Sequence, residues 1–135
     1  MNNINIEDKE LVKLAIEARN KSYSPYSKFK VGAALLTSEG NIYTGCNIES
    51  SSFSPTICAE RTALAKAVSS GDKNFVKIAI IGSADEYTYP CGVCRQFLRE
   101  FANDMEIIIA KNENEFKKTS LTKLLPNSFG PEDLQ

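Results

Sequence analysis

The sequence predicts an α/β protein with a three-layer α-β-α fold, in which a mixed five-stranded sheet carries helices on both faces. Three observations support this prediction: a β-hairpin pattern in the first third of the chain, two continuous apolar runs of strand length, and a helical stretch before each run. With 135 residues, 42% of them hydrophobic, the chain can form one core but is too short for two ordinary domains. We expect a single domain over residues 1–135.

The first element is a helix over the segment IEDKELVKLAIEARNKSY, whose first turn is acidic, as the helix dipole favours. Its apolar face at helical spacing comprises Leu11, Leu14, Ala15 and Ala18. The segments KFKVGAALLT and NIYTGCNI follow. A Ser-Glu-Gly sequence separates them, so they predict a hairpin.

The remaining elements follow a second helix. The apolar runs FVKIAIIGS and EIIIAK predict strands covered on both faces. The segment EFKKTS predicts an edge strand, because its lysines discourage further pairing, and LTKLLP predicts a short helix. Residues 47–56, NIESSSFSPT, predict a polar loop beside a helix start, where functional residues are common.

Charge and hydropathy exclude several classes of partner. The chain has 16 Lys and Arg against 17 Asp and Glu, so it lacks the positive charge that binds a phosphate backbone, and we expect no nucleic acid partner. No apolar run approaches the roughly 20 residues of a membrane-spanning helix. The N-terminal segment MNNINIEDKE also lacks the layout of a secretory signal, so we expect a cytoplasmic protein without membrane contact.

Four cysteines, Cys46, Cys58, Cys91 and Cys94, and the absence of histidine limit the available chemistry. Because nothing suggests export, free or metal-bound thiols are favoured over disulfides. Cys91 and Cys94 form a Cys-x-x-Cys pair directly after Pro90, a residue that suits a helix entrance, and Cys58 begins the other helix. Helix N-termini favour thiolates, which bind metals. Cys46 stands in an apolar strand, where we expect a buried core cysteine.

Three cysteine ligands would leave one position of a tetrahedral zinc site open for water, as in catalytic sites, whereas structural sites have four protein ligands. Glu60, in the first helical turn after Cys58, can lean toward that water and move protons. A redox Cys-x-x-Cys pair and a structural zinc module remain alternatives, and a first-turn glutamate alone is explained by the helix dipole.

The motifs CAERTA and PCGVCRQ together resemble the zinc-dependent nucleoside deaminases. The similarity extends through SPYSKFKVGAALL, GCNIES and LLPNSFGPEDLQ, so nearly the whole chain is similar to the small homotetrameric cytidine deaminases. This resemblance implies that Cys58, Cys91 and Cys94 bind Zn²⁺ and that Glu60 shuttles protons. It also implies that a hydroxide formed on zinc attacks C4 of cytidine or deoxycytidine, giving uridine or deoxyuridine in pyrimidine salvage.

The resemblance also implies a set of substrate contacts. Asn47 and Glu49 would bind the ribose hydroxyls, and the backbone at Ala59 would contact the pyrimidine edge. Phe29 would flank the base, and Phe129 would reach the site of a neighbouring subunit of a homotetramer with shared active sites. One position departs from the family, which often has a tyrosine where this chain has Phe53.

Three thiolates make the site more negative than two thiolates and a histidine, so we expect a positive partner. Arg61, three residues after Cys58, is the first candidate for charge compensation, and Arg95, adjacent to Cys94, is the second. Both could instead be solvated arginines on a helix surface.

Two rival functions share part of this pattern. A deaminase of a cytosine-containing antibiotic such as blasticidin S, or of a nucleotide, would use the same zinc chemistry. The carboxylate of Glu49 would repel a phosphate, which favours a nucleoside. A non-catalytic structural zinc module would have four protein ligands and no exchangeable water.

Overall fold

The computed structural model describes residues 6–83 and 85–134, so the ends of the predicted domain, residues 1–5 and 135, lie outside the described residues. The elements in chain order are α1 (Asp8–Arg19), β1 (Val31–Thr37), β2 (Ile42–Cys46), α2 (Ala59–Ser69), β3 (Phe75–Gly82), α3 (Gly92–Phe101), β4 (Glu106–Ala110), β5 (Phe116–Ser120), α4 (Leu121–Leu124) and a 3₁₀ helix (Pro131–Leu134). None of the helices in this described part is long and apolar enough to cross a membrane.

The strands form one five-stranded sheet in the order β2-β1-β3-β4-β5. The β3 and β4 strands are parallel, and every other neighbouring pair is antiparallel. The predicted mixed sheet is confirmed, as are the hairpin of β1 and β2 and the edge position of the lysine-rich strand β5.

Helices cover both faces of this sheet, which confirms the three-layer prediction. On one face, the apolar side of α1 packs on residues such as Ala34 and Ile108. On the other face, α2, α3 and α4 pack on the alternate residues of the same strands, such as Ile80 and Ile109. The central strands are therefore apolar along their length because both of their faces are buried.

A close approach to the sheet fixes the position of α2. A Cβ atom on Gly45 of β2 would lie 2.5 Å from the Ala59 carbonyl oxygen and 2.5 Å from the Ala63 amide nitrogen. Only glycine leaves room for this contact. The first turn of α2, which carries Glu60, therefore rests directly on β2.

The helices α2 and α3 begin in the same way. Their N-cap residues, Cys58 and Cys91, both have extended backbones, and neither side chain caps its own helix. Each thiol is therefore free to make contacts outside its helix. Pro90 stands one position before the N-cap of α3, so it ends the preceding loop and lies outside the helix.

Candidate metal centre and active site

The sulfur atoms of Cys58, Cys91 and Cys94 meet between the starts of α2 and α3, and all lie within 4.8 Å of one another. The Sγ of Cys91 is 3.8 Å from that of Cys58 and 3.4 Å from that of Cys94. Tetrahedral zinc with Zn–S bonds of about 2.3 Å places its sulfur ligands about 3.8 Å apart. The spacing and the soft thiolate donors fit zinc, with three protein ligands and one position left for another ligand.

Electrostatics within this cluster also favour a cation. Considering the protein groups alone, hydrogen bonds from the Cys94 thiol and from Arg61 lower the pKa of Cys58 to about 5. The neighbouring Cys58 thiolate and burial raise the pKa of Cys94. A thiolate at Cys58 thus opposes a second one at Cys94, and a divalent cation removes that restriction because metal binding displaces thiol protons.

Cys46 stands apart from the metal cluster, as the sequence suggested, but its expected burial is wrong. It is the last residue of β2, and its side chain is partly exposed. The strand β2 lies at an edge of the sheet, and four of its five residues are only partly buried.

Glu60 lies in the first turn of α2 and is only 4% exposed. Burial raises the pKa of its carboxyl to about 7, and the charge of the Cys58 thiolate adds to this rise. Glu60 does not belong to the cluster of metal-ligating groups, but it lines the same pocket as Cys58 and Cys91. Its position therefore suits a proton carrier beside the metal rather than a ligand.

The two candidate arginines have different surroundings. The Nη2 of Arg61 lies 3.6 Å from the Cys58 sulfur and 3.5 Å from the Thr56 carbonyl oxygen. Arg95 instead donates to the carbonyl oxygens of Pro90 and Leu124, at 2.7 and 2.8 Å. Arg61 is therefore placed to offset thiolate charge, while Arg95 ties the loop before Cys91 to the end of α4.

A pocket of about 290 Å³ opens in front of the cluster. The predicted residues that line it are Phe29, Asn47, Glu49, Cys58, Ala59, Glu60 and Cys91. They come from the loop before β1, the segment after β2, and the starts of α2 and α3. Cys94 is buried behind this pocket, in the first turn of α3.

Sequence reasoning missed six further pocket residues, which are Ser27, Val31, Thr56, Ile57, Thr88 and Tyr89. Tyr89 is 42% exposed, and the Nζ of Lys117 on β5 lies 5.3 Å from its ring centroid. Tyr89 stands two residues before the first cysteine of the Cys-x-x-Cys pair, and this position could have indicated that it lies near the metal site. Ser27 carried no such signal, because Glu49, the pocket residue that its hydroxyl binds, lies 22 residues away in sequence.

The carboxylate of Glu49 is held by the turn before β1. Its Oε1 accepts hydrogen bonds from the backbone N–H groups of Tyr26 and Ser27, both at 3.1 Å, and its Oε2 accepts one from the Ser27 hydroxyl. The Ser27 hydroxyl bond, followed by the two backbone bonds, lowers the pKa of Glu49. The side chain is therefore an anionic acceptor fixed at the pocket wall.

Two aromatic residues named in the sequence analysis lie away from this pocket. Phe129 is 58% exposed, and its backbone carbonyl accepts a hydrogen bond from Gln96 of α3. Phe53 is 70% exposed, and its ring lies 6.1 Å from that of Tyr26 in an edge-to-face arrangement. Within this chain, neither ring contributes to the pocket that contains Glu60.

The comparisons of this chain with known proteins all indicate the same family. The family described as the cytidine and deoxycytidylate deaminase zinc-binding region matches residues 5–111. A cytidine deaminase of Sporosarcina psychrophila is 46% identical over 93% of both chains, and a probable cytidine deaminase of Dictyostelium discoideum is 47% identical over 96% of this chain and 90% of that one. The crystal structure of a Burkholderia pseudomallei cytidine deaminase, 40% identical, superposes with a TM-score of 0.87 and covers 92% of this chain and 100% of that chain.

Proposed function

Because the chain belongs to the cytidine and deoxycytidylate deaminase family, we propose that it hydrolyses cytidine and deoxycytidine to uridine and deoxyuridine with release of ammonia. The observation that carries this proposal is the group of three converging cysteine sulfurs beside the buried Glu60. Three protein ligands with a carboxylate at the open side support an enzyme rather than a structural zinc module.

Cys58, Cys91 and Cys94 hold the zinc ion in this proposal. Bound zinc lowers the pKa of water to about 7, so that water becomes a nucleophile near neutral pH. The guanidinium of Arg61, 3.6 Å from the Cys58 sulfur, offsets part of the negative charge of the three thiolates.

Glu60 moves the protons. Its carboxylate accepts a proton from the attacking water and delivers it to N3 of the cytosine ring. It then accepts the proton of the new hydroxyl group at C4 and passes it to the C4 amine, which leaves as ammonia. Positioned acid-base groups of this kind contribute about 10²- to 10⁴-fold to the rate. The burial of Glu60 keeps bulk water from competing for the same proton.

The pocket walls bind the nucleoside. The backbone at Ala59 hydrogen-bonds the pyrimidine edge and Phe29 flanks the base, while Asn47 and Glu49 bind the ribose hydroxyls. All four residues line the pocket, which supports these roles. The fixed negative charge of Glu49 repels a phosphate group, so the substrate is a nucleoside rather than a nucleotide.

The assembly is a homotetramer of single-domain subunits with shared active sites. A second groove of about 660 Å³ supports this, since Ile57, Val93 and Phe97 line it and the last two are exposed apolar side chains. Phe129, exposed and outside its own pocket, reaches a neighbouring site.

The absence of a disulfide bond at any of the four cysteines supports a reducing compartment, and we place the enzyme in cytoplasmic pyrimidine salvage.

A substrate panel tests the function. Zinc-loaded protein is incubated with cytidine, deoxycytidine, cytosine, CMP and blasticidin S, and ammonia release is measured. We expect turnover of the two nucleosides and none of CMP, with activity lost on chelation and regained on addition of zinc. Fully metallated protein that releases no ammonia from either nucleoside would overturn the proposal, and turnover of blasticidin S alone would favour the antibiotic deaminase.

A further inference from the structure

The side-chain amide of Asn47 makes three hydrogen bonds within the protein. Its Oδ1 accepts from the backbone N–H of Val31 at 2.9 Å and from the hydroxyl of Ser22 at 2.5 Å. Its Nδ2 donates to the backbone carbonyl of Phe29 at 2.8 Å. Asn47 therefore joins the segment after β2 to the segment that enters β1.

These bonds determine what Asn47 can offer a ligand. An amide oxygen has two lone pairs and an amide nitrogen has two N–H groups. Val31 and Ser22 occupy both lone pairs, and Phe29 occupies one N–H, so one N–H group remains. Asn47 thus presents a donor to the pocket, beside the acceptor Glu49.

Ser22 lies outside the pocket lining, in the turn after α1. Its hydroxyl is also 3.1 Å from the Ser24 hydroxyl and 3.3 Å from the Asn47 carbonyl oxygen, so the contact with the Asn47 side chain is the shortest of the three. The backbone fixes this arrangement, because the N–H of Tyr23 donates to the Asn47 carbonyl and the N–H of Glu49 donates to the Tyr23 carbonyl.

We propose that Ser22 is a positioning residue for sugar recognition, which holds the Asn47 amide so that its free N–H faces a ribose hydroxyl. The inference rests on the proposed function, since it assigns Asn47 to the sugar. Without the Ser22 hydroxyl, the Asn47 oxygen keeps one donor, Val31, and the amide plane is held less firmly. Loss of the Ser22 hydroxyl should therefore weaken the binding only of substrates that have a sugar hydroxyl for Asn47 to bind.

The test compares cytidine with 2′,3′-dideoxycytidine, which lacks both ring hydroxyls of the sugar. We expect Ser22→Ala to lower kcat/KM for cytidine by about 2- to 10-fold, through KM, because that is the usual effect of one hydrogen bond. The value for dideoxycytidine should not change. Ser22→Thr keeps the hydroxyl and should restore cytidine turnover. Ser24→Ala removes a buried hydroxyl from the same turn that does not contact the Asn47 side chain, and serves as the matched control.

Binding of the products gives a second measurement that needs no turnover. Calorimetric titration should show weaker uridine binding by Ser22→Ala and unchanged binding of 2′,3′-dideoxyuridine. Equal losses for both nucleosides, or no loss for either, would overturn the positioning role. If the wild-type protein deaminates no nucleoside, the proposed function fails instead, and the titrations still decide whether Ser22 acts on a sugar contact.

Discussion

Two regions of the chain build two walls of the same pocket by different means. One region comprises the starts of α2 and α3, and the other comprises the two loop segments at residues 27–29 and 47–49. At the helix starts, Cys58 and Cys91 occupy equivalent N-cap positions, and Glu60 and Cys94 follow within one turn. In the loop segments, Asn47 and Glu49 are held by hydrogen bonds to residues that are 16 to 25 positions away in sequence. One wall depends on local helix geometry and the other on contacts between distant segments.

In the proposed function, this difference separates chemistry from substrate recognition. The helix starts would hold the groups that touch the metal and the transferred protons, so changes there should lower kcat. The loop segments would hold the groups that contact the sugar before and during the reaction, so changes there should raise KM. Two glutamates, Glu60 and Glu49, allow the same substitution to be made in both regions.

The largest effect is expected for Glu60→Gln. The amide keeps the size of the side chain but cannot accept the proton, so kcat should fall by about 10²- to 10⁴-fold. Zinc content, measured by atomic absorption, and the melting temperature should match wild type, because Glu60 is not in the ligand cluster. Near wild-type kcat in metallated protein would show that another group moves the proton.

Arg61→Gln should have the next largest effect within the same region. The substitution removes the positive charge at the Cys58 sulfur, and outer-sphere partners of this kind typically affect metal affinity or activity by about 10- to 100-fold. We expect weaker zinc retention against a competing chelator and a lower kcat. Arg95→Gln is the matched control, because Arg95 binds carbonyl oxygens, and it should lower the melting temperature without changing kcat per bound zinc. Equal effects of the two variants on zinc retention would contradict charge compensation by Arg61.

The two regions also differ in how far they can be predicted from sequence. Local patterns, namely a cysteine at each of two helix starts and apolar runs of strand length, indicate a metal site and the strands of the sheet. The family resemblance then favours zinc over a redox cysteine pair. The sequence ranks Arg61 ahead of Arg95 as the charge-compensating residue, although Arg95 is adjacent to a cysteine ligand. The folded chain supports that order, because Arg61 contacts the Cys58 sulfur while Arg95 donates to carbonyl oxygens. Ser22 gives no sequence signal, since its partner lies 25 residues away. Contacts of that kind depend on how the α1–β1 connection packs against the segment after β2.

Glu49→Gln extends the comparison to the second region. The neutral side chain is a weaker acceptor for the backbone and hydroxyl donors of Ser27 and for the sugar, because an ionised acceptor makes shorter and stronger hydrogen bonds than a neutral one. We expect KM for cytidine to rise roughly 10-fold or more, with kcat within about 3-fold of wild type. Steady-state kinetics of the two Gln variants, measured together, provide the check. A collapse of kcat like that of Glu60→Gln would mean that the two walls are not functionally separate.

The smallest effect is expected for Phe129→Ala. This substitution tests whether a second subunit contributes to the substrate-binding wall of the pocket. An aromatic contact contributes about 0.5–1.5 kcal/mol beyond its buried area, so KM should rise by about 2- to 10-fold, with zinc content unchanged. Mixing subunits identifies the source of the ring. A Phe129→Ala subunit keeps its own Glu60, and in a mixed oligomer its site can receive Phe129 from a Glu60→Gln partner. Co-refolded oligomers of the two variants should therefore contain sites with both wild-type kcat and wild-type KM, a combination that neither variant has alone. If mixing restores nothing, or if sedimentation shows a fully active monomer, each chain completes its own site, and Phe129 serves only the packing of the C-terminal segment against Gln96 and α3.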